Sequence, residues 1–312
     1  MNKNKETKKV KLLSPKIDVI FQALFGEEGS ERITKGFLKT ILKEDITEIN
    51  LSRNQILRRE KQKDKLGILD LIVKINGKEN CDVEMQVVEQ KEIIDRILFY
   101  WSKLYVKSIK KGEDYSKLEK AIVILITDKR IKDLSELKYH TEWKIIETED
   151  RQKILTDKLE LHIIELDKIE ESEDNKNDEL IDWLIFLKNP ESERVKEKMK
   201  ENENLKEAEA KLEKISEDER MQQLAWWKEK AIYDENTNRR VTYREGMEEG
   251  IKEGIKEGIK EGMKKGIKEG VQKEKIEIVK KMLSKSMPIK TIVELTGLSE
   301  EEINTIKEQV KK

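Results

Sequence analysis

The sequence has a single cysteine, Cys81, and two histidines, His140 and His162. One thiol excludes an internal disulfide framework and a cysteine-rich zinc site, and it fits a reducing cytoplasm. Two histidines leave little room for imidazole-based metal ligation or a histidine-dependent triad. No apolar run approaches the roughly 20 residues that a membrane-spanning helix needs. The start, MNKNKETKKVKLLSPK, is basic but lacks the apolar stretch and cleavage site of a signal peptide. The expectation is a cytoplasmic protein with no membrane partner. Neither sign of charge is in excess, with 65 basic against 66 acidic residues. Whole-chain charge therefore offers no argument for nucleic acid, and any basic surface must be local.

Charged residues are 42% of the chain and apolar ones 36%. Residues 1–11 read as a solubilising, disordered tail. From 12 to 190 the apolar content is high enough for a core. A charged helical region follows over 191–245, a glycine repeat over 246–275 and a short helical pair over 276–312. In the core segment, helical spacing of Ile17, Ile20, Phe21 and Leu24 predicts a helix from Lys16 to Phe25, with Ser14 as cap and Pro15 at its first position. Ile33, Phe37, Leu38 and Ile41 predict a second helix, Glu31 to Leu42. GILDLIVKI and ENCDVEMQVV read as paired strands, the segment 89–111 as an amphipathic helix, and AIVILIT and ELHIIEL as further strands. The expected fold class is α/β, a mixed sheet with flanking helices, plus an α-helical C-terminal tail.

The hairpin carries the chemistry. A two-residue Asn76-Gly77 turn would divide the apolar residues between both faces. A three-residue turn, 76–78, pairs Ile75 with Glu79 instead. Leu69, Leu71, Val73 and Ile75 then share a face with Cys81, Val83, Met85 and Val87, and burial of one face selects this register. Asp70, Lys74, Asp82, Glu84 and Gln86 occupy the other face with Ile72. Asp70 falls opposite Glu84, and two facing carboxylates repel unless something compensates. Alternation alone leaves two readings open: a divalent-cation site with hard oxygen ligands, or a solvated sheet face that carries acids. Cys81, on the apolar face, reads as packing, and His162 as a satisfied strand residue.

The ordered set SPKIDVIFQALFG, LDLIVKINGKENCDVEMQV, DRILFYWSKLY, LHIIELDKI, WLIFL, the GIKEG repeats and IVELTGLSEEEI resembles the Rpn-type recombination-promoting nuclease and transposase family, of the PD-(D/E)XK nuclease superfamily. The resemblance covers nearly the whole chain. It implies a PD-(D/E)XK nuclease-like fold over 12–190 and a magnesium-dependent DNA endonuclease, manganese being the alternative ion, linked to recombination or mobile elements. It makes Asp70 and Glu84 metal ligands and catalytic, with Asp18 completing the metal site. Gln86 stands where most such nucleases have lysine, a departure that also looks typical of the Rpn-like group. Its amide can still hold a water or a phosphate. Lys74 is a second candidate for the missing cation, though a solvated strand lysine describes it better. A three-acid transposase of the RNase H-like type is disfavoured, since no third acid stands at the expected positions. The alternative function is a catalytically weakened nuclease fold that serves as a DNA-binding or oligomeric interaction module.

On the helix after the hairpin, Arg96, Tyr100, Lys103 and Lys107 fall at i, i+4, i+7 and i+11. They form a polar, basic stripe with two open readings: contact with DNA phosphates without reading sequence, or an ordinary solvated helix face. Ile93, Ile94, Ile97, Leu98, Trp101 and Leu104 form the expected buried face. Further on, Ser216 with Glu219 reads as a capping box.

Glycines recur every four residues from Gly246 to Gly270, each followed by an apolar residue from Met247 to Val271. They cost an isolated helix roughly 7 kcal/mol relative to alanine, and the stripe drifts about 40° per repeat. Two outcomes are open: close approach of a second helix, giving a homodimer or homo-oligomer, or a partly disordered linker. Intervening Lys–Glu pairs favour some helix, and self-association is the preferred outcome. The terminal pair, with Ser299 and Glu302 as a capping box, could be a helix-turn-helix. Glu300, Glu301 and Glu302 would then repel phosphate at the recognition helix, which favours packing or oligomerisation.

Overall fold

The computed structural model describes residues 11–52, 71–88, 92–169 and 178–311. Most of the expected N-terminal tail, and Leu69 and Asp70 of the hairpin, lie outside the described residues. The described chain forms a six-stranded mixed sheet with helices on both faces, followed by a long helical C-terminal region. Among the described residues, no helix is long and apolar enough to cross a membrane.

The strands are β1 (Ile49–Leu51), β2 (Leu71–Ile75), β3 (Glu79–Gln86), β4 (Lys120–Thr127), β5 (His140–Trp143) and β6 (Leu159–Glu165). Their order across the sheet is β1-β2-β3-β4-β6-β5. The β3–β4 and β4–β6 pairs are parallel and the other pairs antiparallel. The hairpin has the register that burial selects, with Ile75 opposite Glu79 and Leu71 opposite Val83. Asn76 and Gly77 take the turn at φ 47° and 69°. Asn76 also accepts the Thr47 N–H at 2.9 Å, which fastens the approach to β1. β1 and β5 were not legible in the sequence: both are short edge strands, and β5 has no apolar alternation to mark it.

Among the described residues of the first compact unit, Met1–Asn236, the α-helices are α1 (Asp18–Phe25), α2 (Glu31–Leu42), α3 (Ile93–Lys107), α4 (Glu179–Lys188), α5 (Glu193–Lys198), α6 (Glu203–Glu217) and the start of α7 (Glu219–Ser284). α1 begins two residues later than its pattern suggested. Ser14 to Ile17 form a separate turn, and extended Ile17 holds the cap position, so Ser14 does not cap. The Ser216–Glu219 box is also absent. The Ser216 hydroxyl donates to Leu212 O at 2.7 Å and accepts the Leu13 N–H, and Asp218 caps the next helix through Met221 N.

One sheet face buries Leu71, Val73, Ile75, Cys81, Val83 and Met85 under α1, α2, α4 and α6. Each fully buried Leu, Ile or Phe side chain contributes about 1.5–3 kcal/mol there. Phe25, Phe37 and Trp183 pack as tilted rings in this core, with Phe37–Trp183 centroids 5.4 Å apart. The core continues past Pro190, because Val195, Leu205, Ala208 and Leu212 are fully buried in it. The other face is covered by α3, whose Ile93 and Ile97 pack on Val123, Leu125, Leu161 and Ile163.

The second unit, Thr237–Lys312, holds the rest of α7, then α8 (Ile289–Thr296) and α9 (Glu300–Lys311). The glycine repeat is helical, and an added Cβ at any of its glycines would meet open space. Val279, Ile292, Leu298, Ile303 and Ile306 bury one another where the end of α7, α8 and α9 meet. Gly297, at φ 68°, ends α8 in the left-handed conformation. The Ser299–Glu302 capping box is formed in both directions.

Candidate active site

β3 alternates, so Cys81, Val83 and Met85 enter the α1–α2 core while Asp82, Glu84 and Gln86 face α3. This second face is no solvated surface: Asp82 is 0% and Glu84 3% exposed. Charged carboxylates at such depth need compensating charge or hydrogen bonds. α3 brings some. From Arg96, Nη2 lies 3.4 Å from Glu84 Oε2 and Nη1 lies 3.3 Å from Gln86 Oε1. Arg96 Nε donates to the Tyr100 hydroxyl at 2.7 Å. Gln86 donates its amide to Val88 O at 3.0 Å. Burial, then the nearby Glu84 carboxylate, raise the Tyr100 phenol above its ordinary 10, so it meets Arg96 as a neutral hydroxyl.

The expected basic stripe on α3 therefore divides. Arg96 and Tyr100 turn inward over β3, and Lys103 and Lys107 remain exposed, Lys103 Nζ lying 5.2 Å over the Phe99 ring. Tyr100, 2% exposed, belongs to the buried face, whereas Leu98 is 43% exposed and does not. Ile93, Ile97, Tyr100 and Leu104 make the i, i+4, i+7, i+11 face that meets the sheet. The inward turn of Arg96 had no signal in the helix alone. Asp82, two residues before Glu84, was legible as an acid on that face but not as a buried one.

Asp70 lies outside the described residues; it directly precedes Leu71, the last described residue of the hairpin ladder. Asp18, at the start of α1, accepts Lys228 Nζ at 2.6 Å and its neighbour's N–H at 2.7 Å. It lines a cleft of about 700 Å³ with Lys211, Arg220 and Lys228. Among the described residues no hydrogen bond or ion pair joins Asp18 to Glu84. The start of α1 is nonetheless tied to the end of β3. Lys16 pairs with Asp128 at 2.7 Å, and Asp128 N–H donates to Gln86 O at 2.9 Å. Lys74 sits toward the turn and pairs with Glu119, which also takes the Asn80 amide at 2.7 Å.

A second charged cluster lies on the opposite face. Among the described residues, Glu142, Glu160 and His162 form the group whose potential ligand atoms lie within 4.8 Å of one another. Lysines already occupy it. Lys120 Nζ is 3.0 Å from Glu160, and Lys144 pairs with Glu142. Burial alone would raise the Glu160 carboxyl, but hydrogen bonds from His162 and Lys120 hold it at about 2. His140, 2.9 Å from His162, is lowered to about 4 by burial and then by the neighbouring ring. Cys81 is fully buried, and burial pushes its thiol up, away from the reactive thiolate.

Residues 15–241, more than half of the chain, match the family model of the PD-(D/E)XK nuclease family transposase. The chain belongs to that family. Residues 272–308 match the C-terminal HTH domain of the Rpn/YhgA-like nuclease family. Nuclease-type activity on DNA follows from the first match. The second revises the preference for a packing or oligomerisation element at the terminus, since a helix-turn-helix domain suggests DNA as partner. No curated protein and no solved structure matches the chain. Nucleases of this superfamily use divalent metals, and the oxygen donors on the α3 face suit one: hard carboxylates, deeply buried, on one strand.

Proposed function

We propose that the protein is a magnesium-dependent DNA endonuclease, manganese being the alternative ion, that hydrolyses backbone phosphodiesters in recombination or at mobile elements. The observation that carries this is Glu84, a buried carboxylate on β3 immediately beyond the Leu71–Val83 pair. Asp70 and Glu84 would hold the ion, and Asp18, on the helix tied to the end of β3, would assist. A bound divalent cation stabilises charge on the phosphoryl group and makes water a better nucleophile. Hydrolysis joins a water oxygen to phosphorus and breaks one phosphorus–sugar oxygen bond. A water proton leaves to solvent, and the departing oxygen takes one up. Gln86 would orient the water through its amide. Lys103 and Lys107, exposed along α3, supply cations for the DNA backbone beside Arg96, while Tyr100 lies buried beneath. The test is conversion of supercoiled plasmid in magnesium, manganese, calcium or chelator. Cutting in magnesium or manganese that chelator abolishes supports the reading; intact plasmid in every condition rejects it.

One observation favours a second reading. Gln86 lacks the lysine's charge, and with an HTH domain the chain would hold DNA without cutting it. Retention of labelled DNA with no cutting in any metal selects that module over the enzyme.

The tail has its own proposal. Met247, Ile251, Ile255, Ile259, Met263, Ile267 and Val271 are each about half exposed or more on α7. A second copy of the chain is the simplest surface to cover them. Truncation after Arg244 then lowers the mass measured by light scattering to that of a monomer; an unchanged oligomeric state rejects self-association through the tail.

A further inference from the structure

Arg96 meets Tyr100, Gln86 and Glu84 at once. Its Nε contact to Tyr100 is firm at 2.7 Å, and that hydroxyl sits on a side chain 2% exposed. Its Nη contacts to Gln86 and Glu84, at 3.3 and 3.4 Å, are longer than ordinary N–H···O bonds. The Nη edge thus reaches both the carboxylate and the glutamine of β3. A structural ion pair would need Glu84 alone, whereas this group spans the carboxylate and the glutamine of the same strand. Its side chain is 28% exposed against 4% for Glu84, so solvent, and hence a phosphate, reaches it.

The position it reaches is the telling one. Gln86 stands where a lysine would bring a positive charge into the site, and Arg96 brings one within hydrogen-bond distance of the same residue from a different element. We propose that Arg96 is the cation of this site, a positioning residue on α3 that supplies the charge Gln86 lacks. It sets Glu84 and Gln86 in place before DNA arrives, and its Nη edge turns to the phosphate when DNA is bound. Guanidinium geometry suits both tasks, since its planar fork matches carboxylate and phosphate alike. The inference rests on the nuclease reading.

The experiment uses the full chain and four proteins: wild type, Arg96→Gln, Arg96→Lys, and the double variant Gln86→Lys/Arg96→Gln. Three readouts are taken: thermal unfolding without metal, manganese affinity by calorimetry without DNA, and single-turnover plasmid cutting. A cation 3.4 Å from Glu84 repels a dication. Arg96→Gln is therefore expected to bind manganese several-fold more tightly while cutting about a hundredfold more slowly, the scale of losing one preorganised electrostatic group. Arg96→Lys retains part of the rate, and the double variant recovers to within about tenfold of wild type. A merely structural arginine would lose metal binding, cutting and thermal stability together, and lysine at 86 would not restore them. That pattern, or wild-type cutting by Arg96→Gln, overturns the proposal. If the wild type itself cuts nothing, the nuclease reading falls and Arg96 falls with it as the cation of a nuclease site. If the wild type cuts and the double variant is not rescued, only the role of Arg96 falls.

Discussion

The two faces of one sheet carry two charged clusters of opposite kind. Behind β6, Glu160 is surrounded by Lys120, Lys144 and His162 and held at about 2, its charge balanced in place. Under α3, Asp82 and Glu84 are as deeply buried, and Glu84 meets the partly exposed guanidinium of Arg96. The first cluster has the more metal-like residue types, a histidine and two glutamates, yet its lysines fill the space an ion would need. The second offers carboxylate oxygens beside a partly exposed arginine.

The largest effect should separate the two faces outright. Glu84→Ala, and likewise Asp70→Ala, is expected to lower plasmid cutting by on the order of 10²- to 10³-fold or more, with the fold kept. Glu160→Ala is expected to keep cutting per folded molecule and to lose on the order of 3 kcal/mol of stability, because Lys120 and His162 are left around a missing charge. Urea unfolding beside cleavage assays reads both. A swap of these outcomes would reverse the assignment of the faces.

Next in size is the response to metal. Saturating manganese should raise the unfolding temperature of wild type and of Glu160→Gln, by the equivalent of about 2.7 kcal/mol at a hundredfold excess over Kd. Glu84→Ala should show no such rise. A metal response that survives in Glu84→Ala but disappears in Glu160→Gln would move the ion to the β6 face.

The pH dependence is the gentlest probe. His140 has its folded value lowered from 6.5 to about 4, so between these the unfolded chain binds more protons and stability falls as pH drops through that window. Glu160 is lowered from 4.5 to about 2, so its contribution is present above 4.5 and fades as pH falls towards 2. Thermal unfolding from pH 7 to 3 should show the first slope in wild type and its loss in His140→Phe. A wild-type profile flat between 6.5 and 4 would contradict the buried-histidine account.

Much of this was legible in one dimension. The alternation of Leu71, Val73 and Ile75 with Cys81, Val83 and Met85 demanded the three-residue turn, because any slip would expose the whole apolar set. The four-residue glycine period left helix and linker both open, whereas Ser299 with Glu302 marked the start of α9. Short edge strands such as β5 were not legible, since four residues with two exposed carry no period. The turn at Ser14 also misled, because a serine before a proline reads the same whether or not a helix follows at once.

The sequence by itself determined which residues alternate and which recur, hence the hairpin register, the faces of its strands and the acids that share one of them. Those patterns are set by neighbours a few positions away, where backbone geometry leaves little choice. Only the tertiary structure decided that α3 would cover the acidic face, that Arg96 would reach across to Glu84 and Gln86, and that Lys120 and Lys144 would close the cluster on the other side. These contacts join residues far apart in the chain, and they follow from which helix face finds which sheet face to bury. No local period encodes that choice.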